Sequence, residues 1–86
     1  MDINSLNLII EKKISQNISC KKIIIEDKTY LHKNHKGHEK NKFHIKLIIK
    51  SDELLKMNRI ESTKKIYKIL DHEIKYYIHS IEVLLN

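Results

Sequence analysis

Phe43, Ile45, Leu47 and Ile49 alternate with His44, Lys46, Ile48 and Lys50. This period-two run constrains the fold more than any other feature of the chain. Side chains on a strand point to opposite faces at successive positions, so FHIKLIIK carries one continuous apolar face and one mostly wet face. A sheet holding such a strand must be covered on one side. The run KIIIED at 22–27 reads as a second strand, because isoleucine is β-branched and packs well in sheets. A third strand is predicted over about 80–85, where Ile81, Val83 and Leu85 share one side.

The cover for that apolar face is written elsewhere in the chain with a different period. Ile3, Leu6, Ile10, Ile14 and Ile18 recur at three- and four-residue steps, which predicts a helix over about 3–17 with Asp2 or Asn4 as its cap. Ile60, Thr63, Ile66, Tyr67, Leu70, Ile74 and Tyr77 form a second stripe, predicting one helix over about 59–76. Asn58 followed by Glu61 resembles a capping box at its start. The segment 52–57 reads as a turn or short helix, and 30–42 as a long loop. The order is α-β-β-α(short)-α-β. Two strands joined by a loop most simply form an antiparallel hairpin, and the third joins after a crossover. The expected architecture is therefore a two-layer α+β domain, a three-stranded mixed sheet with helices on one face. The 86 residues make a single domain, 1–86, with a modest core.

The formal charge of +6 is concentrated rather than spread. Residues 31–50 hold six lysines and one acid, whereas the flanking segments are close to balanced. Lys33, Lys36, Lys40, Lys42 and Lys46, together with Lys64, Lys65 and Lys68, are the candidate surface for an acidic protein partner or for nucleic acid. One cysteine cannot form an internal disulfide framework, which fits a reducing compartment. MDINSLNLIIEKK has the form of neither a signal peptide nor a transit peptide, and no run approaches a membrane span of about 20 apolar residues. A cytoplasmic protein without membrane association is expected, with mitochondria or another organelle left open. Nothing suggests an enzyme. Gly37 is the only glycine, so a P-loop cannot be built, and the Gly-x-x-Gly clamp of nucleic-acid-binding KH domains is also ruled out.

Several segments, taken in order, resemble the BolA-like family. YLHKNH at 30–35 is similar to the family's Tyr-x-His-x-x-His loop, and HIKLIIKSD at 44–52 to its strand opening on His-Phe and closing on Ser-Asp. IYKILDHEI at 66–74 and HSIEV at 79–83 match the family's later helix and its final strand start. There are departures. Ser62, Thr63 and Lys64 stand where the family has Arg-His-Arg, Lys56 where it has a turn glycine, and Ile45 where it has an aromatic residue. The resemblance implies a class II KH-like fold, here without the Gly-x-x-Gly loop. It also implies a non-enzymatic partner of monothiol glutaredoxins that co-ligates or transfers a [2Fe-2S] cluster in iron-sulfur and iron homeostasis. The glutaredoxin would bring a cysteine and glutathione. The isolated chain is expected to be a monomer without cofactor. The family's alternative role is that of a transcription-linked, nucleic-acid-binding regulator.

On this resemblance His79 is the expected metal ligand, paired with one loop histidine, His35 or His32, with His38 as a further alternative. Imidazole suits iron, and in clusters it raises the reduction potential relative to thiolate. Placed just before the last strand, His79 is expected on the side of Ile81 and Val83. His44 is expected to stabilise the loop or help position a ligand rather than to bind. His72 is expected to be exposed on its helix. Cys20, which precedes the first strand, is not expected to be a ligand. An independent zinc site is disfavoured because zinc needs three or four convergent ligands.

Overall fold

The computed structural model describes residues 1–29 and 42–86. The elements are α1 (Ile3–Asn17), β1 (Lys22–Asp27), β2 (Phe43–Lys50), α2 (Asp52–Leu55), α3 (Arg59–Ile69), α4 (Asp71–Tyr76) and β3 (Ile78–Leu85). The strands lie in the order β1-β2-β3. β1 and β2 are antiparallel, with Lys22 opposite Lys50 and Asp27 opposite Ile45. β2 and β3 are parallel, as a crossover requires. The expected mixed three-stranded sheet is the observed one.

The period-two reading of β2 is met in the core. Ile45, Leu47 and Ile49 are buried and pack with Leu6, Ile10, Ile14 and Ile18 from the α1 segment. Leu54, Ile66, Leu70 and Ile78 complete the cluster. Asp2 caps α1 by accepting from Ser5 N at 2.7 Å, which settles the choice between Asp2 and Asn4. Ser51 closes β2 and opens α2. Its hydroxyl accepts from Leu54 N at 3.2 Å and donates to the Ser19 carbonyl at 2.7 Å. Asn58 accepts from Glu61 N at 2.9 Å and starts α3, which is the asparagine half of the predicted capping box.

Three expectations are corrected. The single helix over 59–76 is two helices, broken at Leu70, whose φ of −99° and ψ of 17° leave the α region. Leu70 is fully buried, so the break falls where the chain is anchored in the core. Second, the predicted stripe on this segment is rotated. Ile60 is 68% exposed and Tyr67 41%, while Ser62 and Glu73 are buried. Ser62 faces inward because its small side chain, donating to the Arg59 carbonyl at 3.0 Å, fits a close-packed helix face. Glu73 faces inward because both of its oxygens accept from Lys13 Nζ, at 2.9 and 2.7 Å. Third, β3 begins at Ile78, two residues earlier than expected, and so includes His79.

Candidate functional site

That earlier start comes with an irregularity. Phe43 pairs with Ile78, but the next residue of β2, His44, pairs with Ser80. His79 is the extra residue of a bulge, which bends a strand and re-aims a side chain. Ile78 is buried, and Ile81, Val83 and Leu85 are partly buried against the core, while His79 and Ser80 are exposed. The bulge therefore takes His79 off the side of Ile81 and Val83, correcting the expected parity. An unbulged strand would turn the imidazole toward the helices. The bulged one presents it to solvent.

Around His79 the two ends of the 30–41 connection come together. Lys28 N donates to the His44 carbonyl at 2.7 Å, and His44 N donates to Thr29 Oγ1 at 3.1 Å. Thr29 is in turn held by Asp27, whose Oδ1 accepts from Thr29 N at 2.9 Å, the geometry of an Asx turn. On the other side Phe43 N donates to the Tyr77 carbonyl at 2.9 Å. His44 lies between these ties. It is only 6% exposed, although its strand neighbours on the same face include Lys46 and Lys50. Its Nδ1 sits 2.6 Å from Ser80 Oγ, and its ring centroid is 4.9 Å from that of His79 at an interplanar angle of 59°. His44, Ser80, Lys28, Lys46 and Glu82 line a shallow depression of about 260 Å³ beside the pair.

The structure thus brings His79 and His44 together and places the roots of the loop beside them. His32, His35 and His38, with Lys33, Lys36 and Lys40, lie outside the described residues. Lys42 is described and half-buried. Lys46 stands in register between Glu26 and Glu82, so acids flank it on both sides. Lys65 pairs with Glu53 at 2.9 Å, and Lys64 and Lys68 are exposed. Lys65 and the Ser19 N–H together hold the Glu53 carboxyl below its ordinary range. His72 is exposed, as expected, with its ring 4.8 Å from that of Tyr76.

Cys20 is at the other end of the sheet. Lys21 N bonds the Lys50 carbonyl, and His44 is six residues away along β2, about 20 Å at the rise of a strand. Burial, then the Glu53 charge, pushes its thiol above the ordinary range, so it is a poor thiolate donor as well. Among the described residues no group of three or more His, Cys, Asp or Glu side chains could hold a metal ion. None of their helices is long and apolar enough to cross a membrane. Ser80 and Thr29 were not legible as parts of this corner. The Asp27-x-Thr29 spacing is a turn signal, but nothing in the sequence pairs Ser80 with His44.

A three-stranded mixed sheet covered by helices, with an exposed histidine at a strand bulge, defines a compact α+β domain. The chain belongs to the BolA-like protein family, whose model matches residues 14–85. It is 28% identical over 81 residues to the DNA-binding transcriptional regulator BolA of Haemophilus influenzae, covering 94% of this chain and 76% of that protein. Solved structures share the fold. The BolA domain of SufE1 from Arabidopsis thaliana superposes with a TM-score of 0.77 at 22% identity, covering all of this chain and 93% of that one. BolA1 from the same plant gives 0.73 at 21% identity, covering 90% and 85%.

Proposed function

We propose that this protein is a non-enzymatic partner module that co-ligates or transfers a [2Fe-2S] cluster with a monothiol glutaredoxin, His79 supplying one ligand. One observation carries the reading. The bulge at position 79 presents an imidazole to solvent, at the end of the sheet where the 30–41 connection leaves and returns. An exposed ligand at a rim suits a cluster held between two proteins, and no three-residue metal group exists among the described residues to hold an ion alone. The second ligand from this chain would be His35 or His32, with His38 as an alternative. The partner would complete the set with its cysteine and glutathione. Imidazole on one iron raises the potential relative to an all-thiolate cluster.

The test is anaerobic reconstitution of the mixed pair. The wild-type protein is expected to give visible absorption and circular dichroism distinct from those of the glutaredoxin homodimer. His79→Ala is expected to return the spectrum to that of the homodimer. An unchanged mixed spectrum would show that His79 is not a ligand.

A second reading rests on the Haemophilus influenzae relative, a DNA-binding transcriptional regulator. Lys64 and Lys68 on the exposed side of α3 are the described residues that favour it. A salt titration against several DNA sequences separates the readings. Uniform binding lost by about 0.2 M salt is charge attraction alone, and a sequence preference surviving that salt supports the regulator.

A further inference from the structure

We infer that His44 is a positioning residue for His79, holding the bulge and the ligand imidazole in place through Ser80. The inference rests on the cluster-partner reading above. Lysine, isoleucine and lysine follow His44 on the outward face of β2, yet His44 is almost fully buried. Among the described residues it is held at three points: its N–H on Thr29 Oγ1, its carbonyl under Lys28 N, and its Nδ1 against Ser80 Oγ at 2.6 Å. The first two ties hold its backbone, and the Ser80 hydroxyl and burial hold the ring. His79 packs beside it, with ring centroids 4.9 Å apart and an interplanar angle of 59°.

The dipeptide His79–Ser80 is therefore gripped twice by one residue, the hydroxyl by a hydrogen bond and the imidazole by ring packing. This is how a bulge, which leaves its extra residue outside the regular ladder, can still present a defined side chain. Ordering the imidazole before the partner arrives removes an entropic cost from shared ligation. Outer groups that hydrogen-bond a metal-binding histidine orient it, and losing them typically lowers metal affinity about 10- to 100-fold; here ring packing takes that part. His44 is too buried to be the exposed ligand itself. Its proposed part is to aim His79.

Two variants test this. Ser80→Ala removes the hydroxyl and keeps both rings. His44→Asn keeps a polar atom near the place of Nδ1 and removes the ring face. The first readout uses the free protein labelled on histidine, followed by ring nitrogen and carbon resonances. Both variants are expected to shift and broaden the His79 ring signals while distant amides stay in place, and Ser80→Thr is expected to restore them. The second readout is chelator competition in the mixed complex, where Ser80→Ala is expected to weaken cluster retention about 10- to 100-fold. Association with the cluster-free glutaredoxin is expected to be unchanged. His79 ring signals in Ser80→Ala that superpose on wild type would overturn the inference. So would unaltered cluster retention in that variant while His79→Ala abolishes the mixed spectrum. Insensitivity of the mixed spectrum to His79→Ala is a separate result, which would remove His79 as a ligand and this inference with it.

Discussion

Leu47→Ala is expected to lower the thermal midpoint by about 12–24 °C, the equivalent of about 3 kcal/mol in a domain of this size. Leu47 is fully buried in the central strand, opposite Ile25 of β1 and Val83 of β3. Truncating such a leucine removes its transfer free energy and leaves a cavity that a sheet closes poorly, because its neighbours are pinned by ladder hydrogen bonds. Domains of this kind have a total stability of about 5–15 kcal/mol, so the loss is a large share of it. Denaturant unfolding at constant m-value would measure it. A change below about 1 kcal/mol would mean that the centre of the core lies elsewhere.

Lys13→Ala should be nearly as damaging, for an electrostatic reason. Glu73 is 2% exposed, and Lys13 Nζ touches both of its oxygens. Removing the cation strands a carboxylate in the core, which costs about 3–5 kcal/mol in a fully buried pair. The Lys13 side chain is 37% exposed, so solvent screens the pair and about 2–3 kcal/mol is the expected loss. The double variant Lys13→Met with Glu73→Leu should recover most of that, since apolar groups of similar size avoid the desolvation cost. A double variant as unstable as Lys13→Ala would contradict this account. The pair also bears on the site. Glu73 accepts from Tyr77 N through its backbone carbonyl, and Tyr77 leads directly into the bulged start of β3.

The elements whose burial follows a simple period are legible in the sequence. Leu6, Ile10 and Ile14 at helical spacing and Ile45, Leu47 and Ile49 at strand spacing all lie in the core. The inward face of α3 and α4 was not legible, because it includes Ser62 on α3 and Glu73 on α4. A polar residue inside is invisible to a hydrophobic pattern until its partner is known, and Lys13 is 60 positions from Glu73. The parity of His79 failed for a different reason. Alternation assumes an unbroken ladder, and one extra residue inverts it without any change in the identity of the side chains. His79 as a candidate ligand was suggested by family likeness. The residue that packs against it, His44, emerges only from the register of β2 on β3.

The parallel register of β2 on β3 also sets an order of events. His44 and Ser80 are separated by 36 positions, and the chain between them holds α2, α3 and α4. Closing such a connection costs entropy before its contacts repay it, so non-local parallel pairing is slow compared with local helix formation. On that ground β3 is expected to dock after the helices have formed, with the histidine corner among the last parts of the molecule to acquire its shape. A nascent or partly unfolded chain has the same histidines without their arrangement. A partner that recognises this corner meets it only in the finished domain.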